Sequence, residues 1–454
     1  MNVTTHNGAG KAAAIFDVGI NERLPAPQFV LLGLQNIFGM TGMFVFPGIF
    51  GRAFHMQPQE IAYLYGMTFI VCGIITILQS VWLLRLPVAQ GPYAGSFAAL
   101  LAVGHLQAAG GLGAAYGSFL VASLIWCALT VPIRGWSVVG LFARYLRAPL
   151  ISGMFVMFII IQIANVALPN WIGLPTSPGF PLVNLLAGAI AVLAIIVTML
   201  WGGPKIRRGA ILIGLAIGTI CYSLFHAISF AAVAAAPLLV TPRLFPFGFA
   251  VRPDLVLVFL LVLIAAGMGS MALYQTVADW GEETLEPGRM SEGLLGVAIG
   301  SVVAGLFGGF STIVYPDNIG MLRATRVGSR YATLAAGILL IVFGGCIKFD
   351  MLLVLVPLPV ISAAATLLFG IVFMHGVHIL ANVEWDDRQL IAAGLSFIAG
   401  LGGLFVSPAA MQAMPLTLRL LVQQPVILGG VTLVLLHAIL AALPARKTKP
   451  AAGA

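Results

Sequence analysis

"YPDNIGMLRATR", residues 315–326, sits between two long apolar runs. Only 8% of the chain's residues are charged, yet an Asp, an Asn and two Arg share this stretch, with Pro316 beside the acid and Gly320 soon after. Pro has no N–H to donate and disfavours helix in its predecessor, so the chain is expected to enter extended and turn helical after Pro316. Asp317 then falls at the start of a short helix, as an N-cap, as a carboxylate facing a cavity, or as both. Asn318 and Gly320 read as turn and close-approach residues, and Arg326 as a C-terminal cap facing the cytoplasm. Non-helical backbone at membrane depth survives only where protein or a water-filled cavity satisfies it.

The surrounding composition places this break in a membrane. The 454 residues are 60% hydrophobic, with a mean hydropathy of +1.07, far above a soluble globular domain. Charges cluster at 205–208, 282–292 and 384–388, and the stretches between such clusters are about twenty residues long, enough to cross a bilayer as helices. We place spans at 28–50, 59–84, 92–108, 113–133, 148–168, 182–201, 209–233, 254–280, 292–310, 317–328, 330–347, 358–381, 388–406 and 423–443. Fourteen spans put both termini on one side. With that side cytoplasmic, 17 of the 22 Lys and Arg face inward, and only Arg52, Arg243, Arg252, Lys348 and Arg419 face outward. This bias follows the positive-inside rule and accounts for the net charge of +8 without nucleic acid as a partner.

Residues 1–27 lack the basic start, short apolar run and small-residue cleavage site of a signal peptide, so the apolar run from Phe29 is expected to be a permanent span. The cysteines, Cys72, Cys127, Cys221 and Cys346, have no metal-type spacing and read as small core residues. His375 and His378 stand at i, i+3 but lack a third acidic or thiol ligand at matching spacing, so no metal is expected.

Two features point to transport. "APLISGMFVMF" from Ala148 and "LPVISAAATLLF" from Leu358 align Pro149 with Pro359, Ile151 with Ile361 and Ser152 with Ser362 at a constant offset of 210. The short, broken spans, "QGPYAGSFAALLAVG" from Gln90 and "STIVYPDNIGMLRATR" from Ser311, are each third in a set of seven. An odd number of spans per repeat inverts the second copy, and paired broken spans in inverted repeats are the mark of an alternating-access transporter. The fold class expected is therefore an all-α polytopic membrane protein of two inverted seven-span repeats, with short β-strands in spans three and ten. Two extended pieces side by side form a small antiparallel ladder, and each half-helix after it presents free N–H groups and a positive dipole end to a small substrate.

Polar and aromatic residues near these breaks are the candidate site. Gln275 offers an acceptor and donors matching the N–H and C=O edge of a planar lactam; the structural alternative is an interhelical hydrogen bond. Asp279, one turn later, is a proton or network residue or a helix-end cap. Tyr93 and Phe97 are candidates for stacking on a heterocycle or for packing. Ser96 lies at the start of the first half-helix. Gln35 and Asn36, polar inside an apolar span, support the site.

The stretch D-N-I-G-x-x-x-x-T-R, from Asp317 to Arg326, resembles the signature of the nucleobase–ascorbate transporter family, Q/E/P-N-x-G-x-x-x-x-T-R/K/G. "GLQN" at 33–36, "AGSFA" at 94–98, "QTVADW" at 275–280 and "VPLPVIS" at 356–362 are similar to the family's first, third, eighth and twelfth spans, in register over most of the chain. The resemblance implies a core domain of 28–133 and 254–350, a gate domain of 134–253 and 351–443, and cytoplasmic tails at 1–27 and 444–454. It implies proton-coupled uptake of purines, pyrimidines or similar heterocycles across the bacterial inner membrane, an elevator-type motion and a homodimer through the gate domain. No cofactor other than the coupling proton is expected. The chain departs from the pattern where Gln275 replaces the span-eight carboxylate, Asp317 occupies the Q/E/P position and Asn36 stands for the first-span His. A proton then has to be carried by Asp317 or Asp279. An anion exchanger of the same fold is the alternative function; a fixed carboxylate between two positive helix ends argues against it. No nucleophile–base–orienter set suggests an enzyme.

Overall fold

The computed structural model describes residues 16–442 apart from 24, 41, 107–109, 133–147, 208 and 382. Its main elements are α1 (Ala26–Gly39), α2 (Gly42–Ala53), α3 (Pro58–Val81), β1 (Gln90–Pro92), α4 (Ala94–Gly104), α5 (Gly111–Thr130), α6 (Pro149–Ile172), α7 (Leu182–Trp201), α8 (Ala210–Ser223) and α9 (Ala231–Ala235). There follow α10 (Pro253–Trp280), α11 (Pro287–Phe307), β2 (Thr312–Val314), α12 (Pro316–Thr325), α13 (Arg330–Gly345), α14 (Ile347–Val354), α15 (Leu358–Leu380), α16 (Asp387–Gly402) and α17 (Pro425–Ala442). Among the described residues seven helices are long and apolar enough to cross a membrane, and eight if α1 and α2 form one broken span. The tails, with Lys11, Arg446, Lys447 and Lys449, lie outside the described residues, as do Arg134, Arg144, Arg147 and Arg208.

Prolines set many of the helix starts. Pro58, Pro149, Pro253, Pro287 and Pro316 each occupy the first helical position of their helix, where the missing N–H is no loss. The span expected at 28–50 is bent by 42° between α1 and α2, a break that no proline marks. The break is satisfied from a distance: the Gly42 N–H donates to the Tyr315 hydroxyl at 2.7 Å.

The helices pack in two sets. In the first, α3 lies against α13, α1 against α13, and α5 against both α10 and α11. In the second, α6 lies against α15, α7 against α8 and α15, and α16 against α17. The α6–α15 pair joins the two segments that match at the offset of 210. Small residues allow the closest approaches, as expected for helices that must pack without a hydrophobic drive from the lipid. A Cβ on Gly73 of α3 would lie 2.7 Å from the Gly337 carbonyl oxygen of α13, and one on Gly337 would lie 2.9 Å from the Gly73 carbonyl oxygen. Gly73→Ala is therefore expected to push the helices apart at a cost of about 1–3 kcal/mol. A lowered melting temperature of the detergent-purified protein checks this; an unchanged one refutes it.

Candidate functional site

β1 and β2 pair antiparallel, with Gln90 opposite Val314, Gly91 opposite Ile313 and Pro92 opposite Thr312. Two further backbone bonds lengthen this ladder: Tyr93 N–H to the Ser311 carbonyl at 2.7 Å and Tyr315 N–H to the Ala89 carbonyl at 3.0 Å. α4 and α12 start directly after the strands, from Tyr93 and Tyr315 as N-caps, and neither N-cap side chain bonds the helix start. Because the strands are antiparallel, the two helices leave the crossing in opposite senses and their N-termini flank it. Each brings a partial positive charge to the interior of the bundle; α4 adds the N–H groups of its first turn, while in α12 Pro316 has none and the Asn318 N–H donates to the Tyr315 carbonyl at 3.1 Å, leaving that of Asp317.

Asn318 is the polar hub of this crossing. It is wholly buried; its Oδ1 accepts from the Ala89 N–H at 3.0 Å, and its Nδ2 donates to the Asn36 Oδ1. The Asn36 Nδ2 in turn donates to the Leu32 carbonyl at 2.9 Å, so α1, the entry to β1 and α12 are tied by one chain of amides. Gln35 is almost fully buried and its Oε1 has no hydrogen-bond partner among the described residues. With Asn36, Leu322 and Thr325 it lines a cleft of about 10 Å³ between α1, α12 and α13. That is below the roughly 300–1,000 Å³ of ordinary ligand pockets, so the structure is closed around this point.

The first half-helix brings three candidates to the other side of the ladder. Ser96 donates to the Tyr93 carbonyl at 2.8 Å, and the buried Tyr93 hydroxyl has no partner among the described residues. Phe97 is fully buried, but its face is covered: Phe46 stacks on it with ring centroids 4.8 Å apart and planes at 17°. Phe46 also reaches Phe369 of α15 at 6.2 Å, so this aromatic contact spans the two helix sets. A flat ligand reaches Phe97 only if Phe46 moves.

Gln275 and Asp279 form a separate pair on α10. The Gln275 Nε2 donates to the Asp279 Oδ1 at 2.8 Å; Gln275 is half-buried and Asp279 exposed. Next along α10, Trp280 lies under the Arg323 guanidinium of α12 at 5.9 Å, which places the pair beside the far end of the second half-helix. Asp317 is the second residue of α12, and its side chain lies outside the described ones. A Cβ on Gly320 would meet nothing within 4 Å, so the close approach read at that position is not made to this chain. Arg326 ends α12 as its C-cap with φ of 56° and lies 3.6 Å from Asp17.

Sequence reasoning passed over three contributors. Tyr315 stands at the N-cap position of α12 without bonding the helix start, its hydroxyl satisfies the α1–α2 break, and Phe46 covers Phe97. Gln90 is wholly buried with neither end of its amide bonded among the described residues. The signal for Gln90 was present, since a Gln directly before a Gly-Pro break in an apolar span is conspicuous. Tyr315 and Phe46 look like ordinary apolar neighbours in sequence. Of the two candidate histidines, the His375 side chain lies outside the described ones and His378 is exposed. No group of three or more His, Cys, Asp or Glu able to hold a metal occurs among the described residues.

Broken helices crossing at a small ladder inside an apolar bundle are the build of a multi-pass membrane transporter. Residues 27–409 match the Xan_ur_permease model, described as a permease family. The chain thus belongs to the nucleobase–ascorbate transporter family, whose members are permeases and not enzymes. It is 29% identical to the uric acid permease PucK of Bacillus subtilis (strain 168), over 92% of this chain and 97% of that one. It is 26% identical to a xanthine permease of the same organism, over 90% and 92%. Among solved structures it resembles the transmembrane domain of the cyanobacterium bicarbonate transporter BicA, with a TM-score of 0.56 and 18% identity over 94% of this chain and 100% of that one. At that identity the likeness concerns the fold alone.

The Asn318 hub gives a direct test. Asn318→Ala strands the Ala89 N–H and the Asn36 carbonyl oxygen, at about 1–3 kcal/mol. A double-mutant cycle with Asn36→Ala, read by thermal unfolding in detergent, is expected to show coupling of about 0.5–3 kcal/mol. Additive losses would mean that the two amides act independently.

Proposed function

We propose that this chain is a secondary transporter that takes up a purine-type nucleobase or a similar small planar heterocycle by proton symport across a bacterial cytoplasmic membrane, with both termini cytoplasmic. The observation that carries this reading is the pair of uncapped helix starts flanking the β1–β2 crossing, beside a buried amide hub. Urate- and xanthine-like rings present carbonyl oxygens and an anionic edge to such N–H groups, and their own N–H groups need acceptors. The relatives named as uric acid and xanthine permeases favour this class of substrate.

In this reading substrate lies between α4, α12 and α10, contacted by Tyr93, Ser96, Phe97, Gln275, Asp317, Asn318 and the open space over Gly320. Asp279 fixes the orientation of the Gln275 amide, which supplies an acceptor for a lactam N–H. Gln275 cannot take up a proton at physiological pH, so Asp317 or Asp279 carries it, with Gln35 and Asn36 holding the surrounding network. The first helix set, with α1–α5 and α10–α13, is the core that carries substrate. The second, with α6–α8 and α15–α17, is the gate against which it slides as an elevator and through which two copies pair. Fourteen spans in two inverted repeats account for the antiparallel relation of the two half-helices. Phe46, lodged between Phe97 and Phe369, fills the aromatic slot in the closed arrangement and has to leave for a ring to enter.

A thermal-shift series with nucleobases, urate, xanthine, ascorbate and small inorganic and organic anions tests the substrate class. A ligand at a hundred times its Kd is expected to stabilise by about 2.7 kcal/mol. Stabilisation by inorganic anions alone would replace this reading with an anion exchanger. Asp317→Asn is expected to abolish concentrative uptake of the stabilising heterocycle at unchanged expression, and undiminished accumulation would remove Asp317 from coupling. Gln275→Glu is expected to alter the substrate profile or the pH dependence of uptake; a variant unchanged in both makes Gln275 structural.

A further inference from the structure

The short helix α14 joins α13 to α15 and lies against α3, outside the spanning helices. Its Asp350 has no exposed surface, and neither carboxyl oxygen has a hydrogen-bond partner among the described residues. The carboxyl group is pressed onto the backbone of α3, where a Cβ on Gly66 would come within 2.8 Å of its Oδ2 and 2.7 Å of the Gly344 carbonyl oxygen. Only glycine leaves room there. Ala62 of α3 packs on Ile347 and Met351 of α14, with Ala232, Val233 and Ala236 around them.

The charged and titratable groups on the surrounding elements do not compensate an ionised Asp350. α3 carries Glu60, Tyr63, Tyr65 and Cys72; α13 carries Arg330 and Tyr331 at its opposite end; Lys348, on α14 itself, is exposed; α9 has none; and the segment whose Leu238 and Val240 bond the Ile347 and Gly345 backbones carries Arg243, which lies over the Tyr63 ring at 5.4 Å. Cys346, at the junction with α13, adds only repulsion. The half-buried cation of α2, Arg52, turns its Nη2 to the Val354 carbonyl at 2.8 Å and to the Val356 carbonyl, while its Nη1 has no hydrogen-bond partner among the described residues. A bare carboxylate in such a place costs several kcal/mol, and a buried acid escapes that cost by keeping its proton. Burial, followed by Cys346, pushes the Asp350 carboxyl up to about 9.

We propose that Asp350 is a proton-binding site of this permease, loaded while α14 lies on Gly66 and unloaded when α14 separates from α3. The step is simple protonation: the carboxylate takes one proton from water as α14 seats, and returns it when water reaches the group. α14 is one of the covalent links between the two helix sets, and Arg52 pins its far end through the Val354 and Val356 carbonyls. Any shift of α15 relative to α3 therefore pulls on the element that keeps Asp350 dry. A proton held in one arrangement and released in another shifts the equilibrium between them by its difference in affinity. This site is separate from Asp317 and Asp279, and it requires no particular substrate.

Infrared spectroscopy of the purified protein in lipid nanodiscs, without substrate, tests the proposal. The wild type is expected to show a protonated carboxylic C=O band at neutral pH that titrates away near pH 9 and is missing from Asp350→Asn. A wild type without that band, or a variant that keeps it, overturns the proposal. Where Asp350→Asn does not fold, Asp350→Glu carries the same test: the band must persist at a shifted frequency, and an unshifted band overturns it. Thermal unfolding supplies a second readout. The folded carboxyl binds its proton more tightly than the unfolded one, whose pKa is about 3.9, so its contribution to stability is complete below about pH 4. That contribution is lost as pH rises to about 9. The melting temperature of the wild type is thus expected to fall more steeply across this window than that of Asp350→Asn, and parallel curves overturn the assignment.

Discussion

Lipid offers the backbone no hydrogen bonds, so wherever a spanning segment stops being helical, the protein itself must supply partners for the freed N–H and C=O groups. Here the three-residue strands β1 and β2 supply them to each other, and the bonds from Tyr93 to Ser311 and from Tyr315 to Ala89 continue the supply at both ends. The third break, between α1 and α2, is served by the Tyr315 hydroxyl on the Gly42 N–H. Remove this mutual satisfaction and neither half-helix can begin inside the bundle. With it, two helix N-termini stand where a small polar ligand can use them.

The same economy governs the few polar side chains. Asn318 spends both ends of its amide on joining α12 to α1 and to the entry of β1, which makes it a structural tie as well as a candidate ligand contact. Gln275 and Asp279 satisfy each other one turn apart on α10. Arg52 turns its Nη2 to two linker carbonyls, and Asp350 has no hydrogen-bond partner among the described residues. Polar groups thus gather at breaks and linkers, where a change of arrangement alters what each can reach.

The breaks themselves were legible in the sequence because proline acts locally. Pro92 and Pro316 announced two extended entries, and the helices do begin at Ala94 and Pro316. The bend after α1 was not legible, since "GMTGMF" carries no proline and glycines like its two are common within spanning helices. Phe97 was readable as an aromatic candidate, but not that Phe46 lies on its face. Gly320 was read as a point of close approach and opens instead onto free space. Asp350 stands two residues after Lys348 with nothing in the sequence to mark it as buried; only the contact of α14 with Gly66 reveals that it is.

By itself the sequence determined that this chain lives in a membrane, where its apolar runs are interrupted and which family its motifs belong to. These follow from hydropathy, from proline and from residue spacing, all of which act within a few positions. The tertiary structure alone decided which polar groups meet. Asn318 finds Ala89 across 229 residues and Asn36 across 282, and at that separation no local preference fixes the partner. What fixes it is the packing of α1, α3 and α13, whose glycines bring the backbones close enough for the crossing between them to close.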